Sequence, residues 1–305
     1  MGLWEHQVAS HETGAFDRQA GFSKHEAKDG IDSPRQAGFF IRTWAVAYKR
    51  TRDERLLKAV ETLLARFEGK RHPKTGLIAA PGNDADASPT AALSLAIDCD
   101  GAAHDVPEPL SSRLRAFAAR EDEVFCGLDH DLRRTRGFVT SAPANSAPAA
   151  ALGAGEPGGP RTPLWDARRD GYTTAQIGLL CVSRYENTGK IAYRELIHAV
   201  ADAYLDSLPS EGADAWPGTF GHAISVELAA WRSSARQAYL DRARQLGGWA
   251  VEKFFGKNPL PRASLKSEHY EAITGADTLA LALVELHLHI LYITAVRCPP
   301  NTADR

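Results

Sequence analysis

Tyr185-Glu186-Asn187-Thr188-Gly189-Lys190-Ile191-Ala192-Tyr193 joins two helical patterns of different character. Before it, Ile177 to Val182 is apolar on nearly every side. After it, Tyr193, Ile197, Val200 and Tyr204 recur at +4, +3 and +4, which is one stripe of an amphipathic helix. The same joint occurs twice more. Tyr48-x-x-Thr51 leads to Leu56, Val60, Leu63 and Phe67, and Trp231-x-x-Ser234 leads to Tyr239, Ala243, Leu246 and Ala250. Every stripe starts five residues past the hydroxyl, and the joints are offset by 137 and 46 residues, 137 being close to three times 46. A period near 46 residues fits a helical hairpin plus a loop.

Apolar helices precede the joints: Phe39 to Tyr48, Ile177 to Val182 and Phe220 to Trp231, with a fourth at Leu279 to Ile293. A helix apolar all round is expected to be buried all round. Each unit therefore pairs a buried inner helix with a one-faced outer helix. Repetition about an axis predicts an all-α fold, an (α/α) toroid of helical hairpins. A weaker hairpin runs from Thr90 to Ile97 and Pro109 to Phe125. Strand signals are poor, because alternating β-branched runs are few and Ala, Leu, Arg and Glu dominate. About nine or ten helices are expected, fewer than the twelve of a closed six-hairpin ring. The ring is then open, filled by long loops, or incomplete in this chain. The Pro/Gly/Ala-rich stretch at 135–165 reads as a long loop, since the repeat lies on both sides of it, and 1–305 reads as a single domain.

With 305 residues, 44% hydrophobic and 24% charged, the chain suffices for a large core. A net charge of -2 points to neither nucleic acid nor an anionic membrane. The best apolar run, Ala280 to Val296, is interrupted by Glu285, His287 and His289. Met1 to His6 is not a charged-then-apolar leader, and localisation stays open. Cys99, Cys126, Cys181 and Cys298 form no CxxC pair, so neither a metal nor a cofactor is expected. Oligomeric state is not readable from the chain.

Short turns such as Arg50 to Asp53 and Asn187 to Lys190 should crowd one face, and the long connections the other. Those connections carry Arg18, His25 and Arg35, then Trp165, Asp166 and Tyr172, then Trp216 and His222, then Glu268, His269 and Tyr270. Functional groups ride on loops held by a rigid scaffold. Inner-helix N-termini on that face favour a negative group. His222, His269, Tyr270 and Tyr172 are the proton-transfer candidates, because histidine titrates near neutrality.

The buried/amphipathic alternation, with its Tyr-x-x-Thr-Gly turn at Tyr185 to Gly189, resembles the α/α-toroid carbohydrate-active enzymes. These include six-hairpin glycosidases, N-acylglucosamine 2-epimerase-like isomerases and polysaccharide lyases. Gly221 to Trp231 is similar to the Gly-His-x-Ile-Glu helix of the epimerase-like branch, although Glu227 falls later than that motif wants. The resemblance covers most of the chain as architecture and about ten residues as motif. It implies an oligo- or polysaccharide substrate. On that footing the leading expectation is a polysaccharide lyase acting on an acidic, uronate-containing saccharide by β-elimination. Arg35, His25 and Arg18 would hold the carboxylate, Trp165 and Trp216 would stack on sugar rings, and Asp166 and Glu268 would complete the binding set. Three alternatives stand beside it. A glycoside hydrolase would need two carboxyl groups roughly 5–9.5 Å apart, from Asp166, Glu227, Glu268 and Asp277. An epimerase would use His222 and His269 on opposite sugar faces. The last is a non-catalytic glycan- or protein-binding scaffold.

Overall fold

A single hydroxyl closes each of the three joints. Thr51 Oγ1 donates to the Ala47 carbonyl and accepts from the Asp53 N–H. Thr188 does the same with Arg184 and Lys190, and Ser234 with Ala230 and Arg236. Between the hydroxyl residue and the residue whose N–H donates to it sits a left-handed residue, Arg52, Gly189 or Ala235. Its N–H reaches the carbonyl of the aromatic residue that opens the motif, at 2.8, 2.8 and 2.7 Å. The repeat seen in the sequence is therefore a helix C-cap with a fixed chemistry.

The computed structural model describes residues 33–80, 83–144, 160–167, 172–256 and 260–291. Its Cα positions divide into two compact units, one formed by 1–129 and 140–159, the other by 130–139 and 160–305. The first unit contains α1 (Pro34–Thr51), α2 (Glu54–Gly69), β1 (Ala79–Ala80), β2 (Asn83–Ala87), α3 (Pro89–Ala102), α4 (Leu110–Cys126) and β3 (Ala142–Pro143). The second contains α5 (Leu132–Thr135), α6 (Thr174–Thr188), α7 (Ile191–Tyr204), α8 (Pro217–Ser234), α9 (Gln237–Phe254) and α10 (Ala276–Ile290). No described helix is long and apolar enough to cross a membrane.

In the first unit α1 packs on α2 and α3, and α3 on α4. The α1–α3 contact is close because Gly38 has no side chain: a Cβ there would lie 3.1 Å from the Leu95 Cα and 2.6 Å from the Asp98 carboxylate. Further along, Arg42 and Lys49 both reach Asp105, at 2.6 and 2.7 Å. Burial raises the Asp105 pKa, but the two cations outweigh it and hold the carboxyl below its usual range. The three strands form a small antiparallel sheet in the order β1-β2-β3, with Ala87 opposite both Ala79 and Ala142. Nothing in Asn83-Asp84-Ala85-Asp86-Ala87 announces a strand. It exists because hairpin pairing supplies hydrogen bonds that propensity does not.

Inner helices α6, α8 and α10 of the second unit lie side by side and parallel. Gly221 of α8 abuts Thr278 of α10, Ser225 bonds Glu285 at 3.0 Å, and Trp231 meets His289 edge-on at 5.3 Å. The offsets of 57, 60 and 58 residues show one register kept along both helices. α7 and α9 return on the outside. All twelve stripe residues named from the sequence are buried, none more than 3% exposed.

One expectation of complete burial fails. α10 exposes Leu281, Val284 and Ile290, and α1 exposes Phe39. No described element covers those faces, so apolar composition alone overstated their burial. The helical run written to Ile293 ends at Ile290 within the described residues.

A candidate site at the N-termini of α6, α8 and α10

Because the three inner helices run parallel, the connections that precede them meet at one end of the second unit. Backbone hydrogen bonds fasten them together. The Trp216 N–H reaches the Asp166 carbonyl at 3.4 Å, and the Leu265 N–H reaches the Ala215 carbonyl at 3.1 Å. Asp214 Oδ1 accepts from the N–H groups of Ala215 and Lys266, both at 3.1 Å. The turn leading to His269 is closed by Ala263 N–H to His269 O at 2.7 Å.

A buried layer supports these loops. Tyr204, the last stripe residue of α7, donates its hydroxyl to Leu164 O at 2.5 Å and accepts from the Ala175 N–H at 3.2 Å. Arg242 of α9 donates to the carbonyls of Tyr204 and Ser207 at 2.8 and 2.5 Å, satisfying groups that the end of α7 leaves unpaired. Trp165 packs on Phe220 at 4.5 Å and Tyr204 at 5.1 Å, and its Nε1 donates to Ser207 Oγ at 3.0 Å. Here Trp165 is a loop anchor, with its ring engaged by protein.

Eight of the eleven residues singled out from the sequence fall in this unit. His222 is buried in the second turn of α8, one residue past the Gly221 contact with α10. Trp216 is half-buried and caps α8. Tyr172, half-buried, directly precedes Thr173, whose side chain caps α6. Asp166 is half-buried, and its Oδ1 accepts from the Ala167 N–H at 2.8 Å. Glu268, His269 and Tyr270 are exposed on the last loop. Arg35 belongs to the first unit, half-buried in the first turn of α1. Arg18 and His25 lie outside the described residues.

Sequence reasoning passed over Ser267 and Glu271. Ser267 Oγ lies 2.8 Å from His269 Nδ1, and Glu271 Oε2 lies 3.9 Å from His269 Nε2. Their i−2 and i+2 spacing about His269 was the available signal, since alternate residues of an extended segment share a side. Glu227 is the opposite case. It is fully buried in α8, and neither carboxyl oxygen has a hydrogen-bond partner among the described residues. Burial pushes its pKa up to about 9, against the pull of Arg242. It is a sealed neutral acid rather than an accessible one.

No protein-family model and no curated protein sequence matches the chain. Solved structures do. A D-mannose isomerase superposes with a TM-score of 0.61 at 9% identity, over 88% of this chain and 74% of its own. Cellobiose 2-epimerase from Bacillus thermoamylovorans B4167 gives 0.55 at 10% identity, over 93% and 85%. The GH76A α-1,6-mannanase of Salegentibacter sp. HEL1_6 gives 0.54 at 12% identity, over 87% and 78%. The chain has the α/α-toroid fold common to these proteins.

Proposed function

We propose that the chain is a carbohydrate-active enzyme that works by proton transfer, as a sugar isomerase or 2-epimerase, at the N-terminal end of α6, α8 and α10. The observation that carries this reading is the tie between Leu265 and Ala215, which fastens the His269 loop to the segment leading into the helix of His222. In such a reaction one imidazole removes the proton from the carbon beside the sugar carbonyl, and the second, protonated beforehand, gives its own proton to a neighbouring carbon or to the opposite face. The enediolate oxygen formed between those steps is anionic. Unpaired N–H groups at helix N-termini suit it. On this reading Trp216 stacks on a sugar ring, and Tyr172 and Tyr270 exchange hydroxyl protons. Likeness to a D-mannose isomerase and a cellobiose 2-epimerase supports the same class.

Hydrolysis by a carboxylate pair has less support. Glu227 is sealed, and Asp166 Oδ1 accepts from the N–H of its own loop. The matched mannanase is inactive in a variant with two consecutive aspartates replaced, and no two aspartates are consecutive in this chain. β-Elimination would use the same histidines, and Arg18 and His25 of its expected carboxylate clamp lie outside the described residues.

The test is incubation with D-mannose, D-fructose and cellobiose in D2O. Isomerisation yields the partner sugar with deuterium at the carbon next to the one that lost its proton, and epimerisation yields it with deuterium at that same carbon. His222→Gln and His269→Gln should each lower kcat by about 10² to 10⁴. An ultraviolet-absorbing unsaturated product from uronate polymers would move the assignment to elimination, and new reducing ends without it to hydrolysis. Full turnover in both histidine variants would refute the site.

A further inference from the structure

We infer that Ser267 and His269 form a hydrogen-bonded proton relay facing the Glu271 carboxylate, in which His269 carries its proton on Nε2 and Ser267 exchanges protons with the ligand. The inference deepens the proposed function and rests on it for its role in turnover, but its geometry stands independently.

Both ring nitrogens of His269 are addressed from its own loop. Glu271 Oε2 is 3.9 Å from Nε2, and a carboxylate only accepts. A lone pair at Nε2 would face negative charge, so the proton belongs on Nε2. Nδ1 then carries the lone pair. The Ser267 hydroxyl, 2.8 Å away, is the donor to it. Ser267 and Glu271 are half-buried, whereas the imidazole is exposed. The loop that carries them is not free to reorient. Ser264 and Ser267 exchange backbone hydrogen bonds at 3.3 Å, the Arg262 Nε donates to Ser264 O at 2.7 Å, and Asp214 and Ala215 hold Lys266 and Leu265.

A Ser–His–acid chain of this polarity suits oxygen-bound protons. When a sugar hydroxyl gives its proton to Ser267 Oγ, the proton already on Ser267 passes to His269 Nδ1. The imidazolium so formed faces the Glu271 carboxylate, and the reverse sequence restores the start. Opening and closing a sugar ring needs this traffic in addition to the carbon-bound proton. The relay therefore assigns ring opening to Ser267 and His269, beside the carbon-bound proton step that His269 shares with His222. Ser267 is the group that meets the ligand, and Glu271 is a positioning residue that acts through the imidazole.

Two measurements test it. The first is histidine ring ¹⁵N NMR on full-length protein labelled at histidine, with His269→Gln identifying the signal. The neutral ring should show Nε2–H, and Glu271→Ala should give a tautomer mixture. A predominantly Nδ1–H ring, or a pattern unmoved by Glu271→Ala, overturns the relay whether or not a substrate has been found. The second is turnover. Ser267→Ala should lower kcat at least tenfold with KM little changed, and Ser267→Thr should restore most of it. A Ser267→Ala enzyme at full kcat, with His269→Gln dead, overturns the relay and leaves the proposed function standing. Full turnover in His269→Gln refutes the role of His269 in that function.

Discussion

Replacing Glu227 by glutamine should remove a loss of stability that grows as pH rises. In the folded chain burial keeps the Glu227 carboxyl protonated, its pKa pushed up to about 9 from 4.5. Arg242 and Arg236 pull it down and Asp202 pushes it up, and none of them touches it. The folded state therefore holds a proton that the unfolded chain releases above pH 4.5. Stability from this group is complete below pH 4.5 and is lost as pH rises toward 9. At 1.36 kcal/mol per unit, the loss is about 3 kcal/mol by pH 7. The variant has nothing to titrate at that position. Its stability relative to the parent should rise by about 4 kcal/mol between pH 5 and pH 8. Urea unfolding of both proteins at pH 5, 6, 7 and 8 measures the difference, with all other titrations cancelling. Parallel curves would refute the argument, since they would mean that Glu227 is ionised in the fold or reached by water.

Three further outcomes follow from the packing. Gly221→Ala should destabilise by about 1–3 kcal/mol, because its Cβ would stand 2.7 Å from the Thr278 backbone; Gly248→Ala, with nothing within 4 Å, should instead stabilise by up to about 1 kcal/mol, and thermal melts compare the two. Arg71→Met removes the 2.8 Å partner of the fully buried Glu121, whose pKa burial already raises; chemical denaturation should show a loss of about 3 kcal/mol or more, partly recovered in the double variant with Glu121→Gln. Ala235→Gly should stabilise by about 0.5–1 kcal/mol, because Ala235 occupies a left-handed conformation that Gly189 fills at the equivalent joint.

The fold was legible because its repeat is a chemical device. A hydroxyl on the last residue of a helix, an aromatic three residues earlier and a stripe five residues later recur at three of the described hairpins. Those positions answer to local hydrogen bonds and to 3.6-residue periodicity, both properties of short sequence windows. The β1-β2-β3 sheet was not legible for the converse reason. Its register depends on Ala142 pairing with Ala87, 55 residues away, and its residues have no β preference of their own. Burial of α10 was misread because composition reports what a helix could bury, while exposure depends on whether a neighbour arrives.

For the site, residue type and loop position sufficed to collect Tyr172, Trp216, His222 and His269 in one unit. They could not distinguish a ring that meets a ligand from one that meets protein. Trp165 and Trp216 look alike in sequence, yet Trp165 is clamped by Phe220, Tyr204 and Ser207. His222 and His269 also look alike, and their surroundings differ in kind. His222 is fixed by the packing of a helix whose residues from Pro217 to Ala230 are all buried, Gly221 admitting the α10 backbone beside it. His269 is fixed only by hydrogen bonds, on a loop pinned at Asp214 and Ala215. A proton-transfer pair built this way has one rigid member and one adjustable one. Substitutions that loosen the pinned loop, such as Asp214→Ala, should then act on turnover through His269 while leaving global stability nearly unchanged. Substitutions at Gly221 should lower both together.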